Sequence, residues 1–286
     1  MKDFQILVLY KNSSYEKFFL AQRPISPFVT IRSRDVLRFK QTHLEHFKTL
    51  KKVKRVLKLS GFHFKVTNRG DRFDLDQYNL IITVGGDGTF LQAARNITHQ
   101  YIFGVNSDPR WSVGMFCSAD SKSFPSFVQK LISKKFSVRT LQRLVLTMKS
   151  HPPTHFLNDV LICHKNPAAM SRYHFIIGGK KEEQKSSGLW LATAAGSSGA
   201  IHSAGGKILP VMSSKFQYIA RELYAAKQQK YHFRSGILQP GKTVSIISLM
   251  QDGVIFVDGC RTHYPFPFGQ EASITPSRYP LKVIRP

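Results

Sequence analysis

Residues 1–105 alternate between short apolar runs and longer amphipathic segments. Apolar runs bounded by turn residues predict strands, and apolar positions three and four residues apart predict helices. The predicted strands are Ile6–Tyr10, Phe62–Thr67, Leu80–Val84 and Tyr101–Val105, and the predicted helices are Leu44–Leu59 and Thr89–Ile97. Strands that alternate with helices are typical of a parallel, doubly wound sheet. Segment 11–43 contains two prolines and is predicted to contain a loop.

After about residue 118 the pattern changes to short strands separated by proline and glycine. The predicted strands are Leu144–Met148, His155–Cys163, Tyr173–Ile177, Leu189–Thr193, Val244–Leu249 and Val254–Val257, and the predicted helices are Pro125–Lys134 and Phe216–Gln228. This pattern favours an antiparallel, β-rich domain. The fold class is therefore an α/β, Rossmann-like N-terminal domain (1–118) plus a β-rich C-terminal domain (119–286), α+β overall. Strand candidates Ala272–Thr275 and Leu281–Ile284 either return to the first domain or close the second.

Composition narrows the class of protein. The 286 residues suit two domains of ordinary size, and 42% hydrophobic with 21% charged residues is typical of a globular protein. The three cysteines lie far apart, so neither a disulfide framework nor a zinc site is expected. The N-terminus reads as a strand, and no apolar run approaches the ~20 residues of a membrane span. A cytoplasmic protein is the expectation.

The net charge of +25 admits two interpretations. One is binding to nucleic acid or to an anionic membrane. The other is a solvated basic surface with a cleft for anionic nucleotides. The densest basic patch, Lys48–Lys58, lies on the polar side of a predicted amphipathic helix, and the remaining charges are spread along the chain. This distribution favours the second interpretation.

The first motif that indicates chemistry is Gly85-Gly86-Asp87-Gly88-Thr89, which joins an apolar strand to a helix. Glycines allow a ligand to approach the main chain, and main-chain N–H groups at a helix start can bind phosphate. Asp87 would repel phosphate unless it performs chemistry or helps to hold a metal. The motif therefore predicts phosphoryl transfer, with Asp87 as the group that orients a hydroxyl and accepts its proton. The alternative is a tight turn with Asp87 as the helix N-cap.

Two other nucleotide motifs are absent from the sequence. It contains no G-x-x-x-x-G-K-[ST] and no G-x-G-x-x-G after a strand, which argues against a P-loop enzyme and a hydride-transferring Rossmann site. Asn106-Ser107-Asp108 ends a predicted strand, at the sheet edge where ligands bind in open α/β sheets, although a structural turn explains it equally well.

Asn158-Asp159 interrupts an apolar strand. A carboxamide beside a carboxylate can form directed hydrogen bonds to vicinal ribose hydroxyls. The alternative is a bulge or a strand end that faces solvent.

A third segment, Lys185–Gly206, is rich in small and hydroxyl-bearing residues. A short helix is predicted to begin near Ser197, with Ser197 or Ser198 as its cap and its N-terminus available to a phosphate. A close-packed turn between strand and helix is the alternative.

Together these three motifs resemble the NAD kinase family. The family pattern is GGDGT, then N-[ED], then D-G-L-x-x-[ST]-T-P-T-G-S-T-A-Y followed by S-A-G-G. Its counterparts here are Gly85–Thr89, Asn158-Asp159 and Gly188–Gly206, and the similarity extends from about residue 79 to 260. Gly104–Pro109 and Gln184–Gly188 resemble the divergent mitochondrial type, and Val257-Asp258-Gly259 also has a counterpart there.

The resemblance implies ATP-dependent phosphorylation of the adenosine 2′-hydroxyl of NAD to give NADP, in a cleft between two domains. It places Asp87 at that hydroxyl. The positions that it implies for nucleotide binding are Gly86, Gly88, Thr89, Asn158, Asp159, Lys185, Ser187, Ala195, Ser197, Ser198 and Ser203. It also implies ATP with Mg²⁺ or another divalent cation, no resident protein-bound metal, and a homodimer or homotetramer. Neither a specific nucleic acid nor a membrane is expected as a partner.

Three departures from the family pattern bear on the chemistry of the site. Ser187 replaces the aspartate found in most bacterial members, as it does in the mitochondrial type. Ala195 lacks a hydroxyl and Ala200 lacks an aromatic ring. Losing a hydrogen bond or a stacked ring weakens dinucleotide binding by ~1 kcal/mol each. Two alternatives stay open: a lipid kinase of the diacylglycerol or sphingosine kind, which shares GGDGT, and a catalytically silent nucleotide-binding protein.

Overall fold

A computed structural model describes residues 4–20, 33–71, 73–224 and 230–286. The chain forms two compact units, Met1–Arg139 with Lys282–Pro286, and Thr140–Leu281. The predicted second domain begins at residue 119, whereas residues 119–139 belong to the first unit. The reason is that the helix Phe124–Ile132 buries Phe124, Phe127 and Leu131 in the core of the first unit.

The elements are as follows, in chain order. The strands are β1 (Ile6–Tyr10), β2 (Phe64–Asn68), β3 (Leu80–Gly85), β4 (Tyr101–Asn106), β5 (Ala119–Asp120), β6 (Ser137–Leu141), β7 (Leu144–Met148), β8 (His151–Phe156), β9 (Asp159–His164), β10 (Ser171–Ile177), β11 (Lys180–Ser186), β12 (Gly188–Thr193), β13 (Phe216–Arg221), β14 (Ser235–Leu238), β15 (Val244–Ser248), β16 (Gly253–Val257), β17 (Thr262–Pro265), β18 (Glu271–Pro276) and β19 (Leu281–Arg285). The helices are α1 (Ser33–Leu59), α2 (Asp87–Ala94), α3 (Phe124–Ile132) and α4 (Ala200–Ser203), and Glu16–Leu20 forms a π-helical segment.

The first unit is built on a sheet with the order β2-β1-β3-β4-β19-β6, in which β5 also pairs with β4. The pairs β1–β2, β1–β3, β3–β4 and β4–β19 are all parallel. Every residue of β3 is buried, as expected for a parallel strand covered on both faces. Because parallel neighbours end at the same edge, the segments that follow β1, β2 and β3 lie close together there.

Helix α1 covers one face of this sheet through Leu50, Val53 and Leu57. It begins at Ser33 rather than at Leu44, so residues 33–43 of the segment predicted to contain a loop are helical. Residues 21–32 lie outside the described residues. The lysines and the arginine of the basic patch Lys48–Lys58 are all exposed. They form the polar side of a packed amphipathic helix, as predicted.

The second unit consists of two antiparallel sheets, β11-β10-β15-β18-β7-β8 and β14-β13-β12-β9-β16-β17. Buried residues of both sheets belong to one hydrophobic cluster, for example Phe175 and Ile246 from the first sheet with Leu191 and Ile255 from the second. The two inner faces therefore pack together as in a β-sandwich.

The predicted fold class, an α/β N-terminal part and a β-rich C-terminal part, is confirmed by this architecture. The predicted helix Phe216–Gln228 is wrong over Phe216–Arg221, which forms strand β13, and residues 225–229 lie outside the described residues. Phe216, Tyr218 and Ala220 alternate toward the core while the main chain pairs with β12 and β14. Tertiary pairing thus overrides the local helix propensity of this segment.

In the described part of the chain, no helix combines the length and the apolar character required to cross a membrane.

Candidate active site

The Gly85–Thr89 turn lies at the carboxyl end of β3, where α2 begins. Its glycines allow close contacts within the first unit. A Cβ on Gly86 would lie 2.3 Å from the Ser112 Oγ, and a Cβ on Gly85 would lie 2.3 Å from the Thr89 Oγ1. Any side chain at these two positions would displace the turn or its neighbours.

Asp87 occupies the first helical position and is partly exposed. The N-cap is Gly86, so the interpretation of Asp87 as the N-cap is wrong. Its carboxylate instead accepts two main-chain hydrogen bonds, from Met115 N–H to Oδ2 (3.0 Å) and from Phe116 N–H to Oδ1 (2.8 Å). A carboxylate has about four acceptor positions. Asp87 therefore retains the capacity to accept the proton of a substrate hydroxyl.

Two contacts hold the loop that donates these hydrogen bonds, one to α2 and one to the end of β4. The Phe116 ring stacks on Phe90 of α2, with ring centroids 5.4 Å apart. Asn106 donates to the Ser112 carbonyl and accepts the N–H of Asp108. Asn106-Ser107-Asp108 thus forms the structural turn that sequence analysis considered as one of two alternatives.

Cys117 follows this loop and points into the protein. Burial, and then the charge of Asp87, raise the pKa of its thiol to about 12. The thiol therefore stays protonated near neutral pH.

Thr89 differs from the sequence-based expectation that it lines the phosphates. Its side chain is 1% exposed, and its hydroxyl accepts a hydrogen bond from the Arg69 Nη1 at 3.1 Å. Gly88, in contrast, is exposed. The groups of the turn that remain accessible to a ligand are therefore the main chain of Gly88 and the neighbouring Asp87 carboxylate.

In the second unit, Asn158 lies where the chain passes from one sheet to the other. The predicted single strand His155–Cys163 is wrong, because β8 pairs with β7 whereas β9 pairs with β12 and β16. The main-chain N–H groups of Leu157 and Asn158 are bound by the carboxylate of Asp258, at 3.4 and 2.7 Å. This carboxylate replaces the ladder hydrogen bonds that the chain loses at the crossover.

Asp159 is 3% exposed, and its Oδ2 accepts a hydrogen bond from the Asn158 Nδ2 at 3.1 Å. Burial, and then the neighbouring charge of Asp258, raise the pKa of Asp159 to about 7. Near neutral pH this carboxyl group is therefore shared between an acid that can donate and a carboxylate that can accept. Both states suit hydrogen bonding to a ribose hydroxyl.

The loop 194–199 packs directly on Asn158. The Asn158 carbonyl accepts the N–H of Thr193, and a Cβ on Gly196 would lie 2.1 Å from that same oxygen. Ala195 and Ser197 are buried, and the Ser197 Oγ donates to the Ala194 carbonyl and accepts the N–H of Leu209. These bonds hold the loop against the Asn158-Asp159 pair.

The predicted cap of the helix after this loop is wrong. The N-cap of α4 is Gly199, with no side-chain cap, and α4 is only four residues long. The Ser197 hydroxyl bonds to the Ala194 carbonyl within the loop and not to the main chain of α4. Ser198 and Ser203 are exposed. Such a short helix offers little dipole to a phosphate, so the exposed hydroxyls are the groups left for a ligand.

The order and the geometry of these motifs can be compared with known proteins. No family model matches the chain. It is 29% identical to a probable NADH kinase of Oryza sativa subsp. japonica, over 84% of this chain and 82% of that protein. It is 28% identical to an NADH kinase of Arabidopsis thaliana, over 93% and 95% of the two chains. The chain is thus similar, along most of its length, to proteins described as NADH kinases.

The chain also has the fold of a solved NAD kinase structure. The structure of an NAD kinase from Archaeoglobus fulgidus, determined in complex with ATP, superposes with a TM-score of 0.71 at 19% identity. The match covers 98% of this chain and 92% of that one. The fold of an NAD kinase is thus present along nearly the whole chain.

Two of the positions implied by the NAD kinase pattern lie apart from the others. Lys185 and Ser187 precede β12, while Asn158-Asp159 lies at its far end, because Ala192 pairs with Asp159. Five residues of strand separate Ser187 from Ala192 by about 16 Å at ~3.3 Å per residue. Ser187 is held there by its N–H bond to the Arg221 carbonyl. The second unit therefore groups Asn158 and Asp159 with the loop 194–199, and not with Lys185 and Ser187.

Two residues beside the NAD kinase motifs were missed as site residues. Arg69 contacts the first motif, and Asp258 supports the second while adopting a left-handed main-chain conformation (φ 49°). A non-glycine residue in this conformation often marks a functional constraint. The Val257-Asp258-Gly259 motif could have identified Asp258 as a site residue. Arg69 follows β2, and nothing in the neighbouring sequence indicates its contact with Thr89.

Replacing Asp159 with Asn is expected to stabilise the second unit at high pH. The folded protein binds the Asp159 proton more tightly than the unfolded chain, so the contribution of Asp159 to stability falls as the pH rises from about 4 to about 7. A carboxamide at this position stays neutral and removes this loss, which amounts to roughly 1–4 kcal/mol for a shift of this size. Urea unfolding between pH 4 and pH 8 measures the difference.

The control for this prediction is Asp252→Asn, at an exposed turn of the same unit. The control is expected to keep the wild-type dependence of stability on pH. If Asp159→Asn also keeps it, Asp159 does not titrate near neutral pH in the folded protein.

Proposed function

We propose that this chain is an ATP-dependent NAD kinase, which phosphorylates the adenosine 2′-hydroxyl of NAD to give NADP. The observation that carries the proposal is its similarity to kinases of this family along most of both chains. The partly exposed Asp87 at the carboxyl end of β3 supplies the required acidic group.

The chemistry assigned to the first unit is proton acceptance during phosphoryl transfer. The 2′-hydroxyl donates a hydrogen bond to the Asp87 carboxylate, and its oxygen attacks the γ-phosphorus as the bond to ADP breaks. The hydroxyl proton passes to Asp87. The N–H groups of Met115 and Phe116 fix the carboxylate, so it does not need to reorient during the reaction.

The chemistry assigned to the second unit is binding of the acceptor nucleotide. Asn158 and Asp159 are the groups that we assign to the ribose hydroxyls, and Ser198 and Ser203 are exposed hydroxyls near the same loop. Lys185 and Ser187 are assigned to a more distant part of the dinucleotide, because they precede β12 at the opposite end. Ala195 has no side-chain hydrogen-bonding group, so it can contribute only van der Waals contacts.

The divalent cation is assigned to the nucleotide rather than to a protein cage. Among the described residues, no three His, Cys, Asp or Glu side chains form a group that could hold a metal ion. Mg²⁺ typically binds through one or two carboxylates together with substrate phosphates. The ion would be carried by the nucleotide and would neutralise phosphate charge, which leaves the Asp87 carboxylate for the hydroxyl proton.

NADH is a second candidate acceptor. The relatives in rice and Arabidopsis that match most of the chain are described as NADH kinases. The ribose contacts are common to NAD and NADH, so the choice between the two lies with residues near the nicotinamide. Ser187, at the end of β12 away from the ribose pair, is the position to which we assign this choice.

The similarity to NAD and NADH kinases does not determine the oligomeric state, the cellular location or the subtype. A homodimer or homotetramer, a cytoplasmic location and the likeness to the divergent mitochondrial type stay predictions. Size-exclusion chromatography with light scattering measures the oligomeric state directly.

The test of function is a direct assay of the purified protein. The protein is incubated with ATP and Mg²⁺ and with NAD, NADH or a diacylglycerol vesicle, and phosphorylated products are separated and counted. We expect NADP or NADPH and no phosphorylated lipid.

Two outcomes would overturn this function. Phosphorylation of lipid without NADP or NADPH would establish the lipid-kinase alternative. Nucleotide binding without turnover, together with salt-sensitive binding to nucleic acid, would establish the silent binding protein.

A further inference from the structure

Arg69 lies beneath the Gly85–Thr89 turn in the first unit. Its Nη1 donates to the Thr89 Oγ1 at 3.1 Å and lies 3.8 Å from the point that a Cβ on Gly88 would occupy. Arg69 is only 8% exposed, whereas Gly88 is exposed. A guanidinium group is therefore close to the exposed main chain of Gly88.

The main chain of Arg69 is fixed on both sides. Its N–H donates to the Tyr10 carbonyl at 2.8 Å, and its carbonyl accepts a hydrogen bond from the Gln92 Nε2 at 2.7 Å. Strands β2 and β3 both pair in parallel with β1, so the segments after all three strands meet at this edge. The position of the Arg69 charge is thus set by β1, β2 and α2 together.

The turn needs a positive charge if it receives phosphate. Asp87 places a carboxylate in the turn, and the phosphates of a donor nucleotide add several negative charges. The lysine that P-loop enzymes use to offset such charges is absent from this motif. Arginine is always protonated, and a charge in a buried setting acts more strongly than one in water.

We propose that Arg69 supplies the fixed positive charge that holds the phosphate groups of the donor nucleotide against the Gly85–Thr89 turn. The proposal rests on the proposed function, since it assumes that a nucleotide polyphosphate binds at this turn. Arg69 then has two effects: its charge attracts the phosphate groups, and its hydrogen bond orients Thr89.

Three variants separate these two effects. Arg69→Gln removes the charge, Thr89→Val removes the hydrogen bond but keeps the charge, and Arg69→Lys keeps the charge without the planar fork. We expect KM for ATP to rise about 10- to 100-fold in Arg69→Gln, and about threefold in each of the other two. The control is Arg55→Gln, on the exposed side of α1, which should keep the wild-type KM.

Binding is also measured without turnover, by calorimetry with inorganic tripolyphosphate as the probe. Arg69→Gln should lose about tenfold or more in affinity for tripolyphosphate, and its affinity should depend less on salt concentration. This arm is independent of the acceptor. If the wild-type protein binds tripolyphosphate but forms no NADP or NADPH, the proposed function fails and the role of Arg69 is still tested.

Equal effects of Arg69→Gln and Thr89→Val would overturn the proposal, because Arg69 would then act only by holding Thr89. Wild-type affinity for tripolyphosphate in a folded Arg69→Gln variant would also overturn it. Should Arg69→Gln fail to fold, Arg69→Lys decides: a tenfold rise in KM for ATP despite the retained charge contradicts the proposal, and a rise of threefold or less supports it.

Discussion

Replacing Asp87 with Asn is expected to lower kcat for NAD phosphorylation about 100- to 10,000-fold, the range typical of a lost general base. The carboxamide cannot accept the hydroxyl proton. Its shape is retained, so the substrates should still bind. Turnover at saturating ATP and NAD, measured as NADP formed, isolates this effect from changes in affinity.

The structure shows that Asp87 also has a structural role, which the experiment must separate from chemistry. Its two oxygens accept the N–H groups of Met115 and Phe116, and an Asn amide would turn a donor toward one of them. The Met115 N–H is exposed and can bond to water instead, whereas the Phe116 N–H is part-buried, and leaving a buried donor unpaired costs up to roughly 1–3 kcal/mol. Some loss of stability is therefore expected alongside the loss of kcat.

Asp120→Asn is the matched control. Asp120 lies in the same unit, and its carboxylate also accepts two main-chain N–H groups, from Lys122 and Ser123. Both N–H groups bond to the Oδ1 of Asp120, so the carbonyl oxygen of Asn can keep these bonds, and Asp120→Asn should lose less stability in urea unfolding than Asp87→Asn. Only Asp87→Asn should lose kcat. Wild-type turnover in a folded Asp87→Asn variant would remove Asp87 from the chemistry.

The sequence predicts the first motif well because its determinants are local. An apolar strand, a glycine turn and a helix follow one another within a few residues, and the structure has them in that order. The contacts of Asp87 with Met115 and Phe116 could not be predicted in this way. They use main-chain donors from a loop distant in sequence, and a main-chain N–H has no residue type by which to recognise it.

The second unit shows where local reasoning fails. Asn158-Asp159 was correctly noticed as out of place in a strand, but the crossover between sheets depends on Asp258, which is distant in sequence. Phe216–Arg221 has residues that suit a helix, yet the free edge of β12 makes it a strand. Ser197 suits a cap, yet its hydroxyl bonds to Ala194 and Leu209. In each case a long-range partner decides between two locally acceptable structures.

Replacing Gly196 with Ala is expected to destabilise the second unit by about 3 kcal/mol, at the upper end of the cost of overpacking. The added Cβ would lie 2.1 Å from the Asn158 carbonyl oxygen and 2.6 Å from the Asn158 Cα. These are main-chain atoms, so no rotation of a side chain relieves the clash. Urea unfolding measures the loss.

The same change is expected to raise KM for NAD at least tenfold in protein that remains folded, because the loop and the Asn158-Asp159 pair must move apart. The control is Gly241→Ala in the same unit, where a Cβ meets nothing within 4 Å. That glycine has φ +81°, so its replacement costs only about 1–2 kcal/mol of left-handed strain and should leave KM unchanged. Equal destabilisation by the two variants would mean that main-chain strain, and not the contact with Asn158, explains the need for glycine. Equal KM values in the variant and the wild type would show that the position of Asn158 does not govern binding of the dinucleotide.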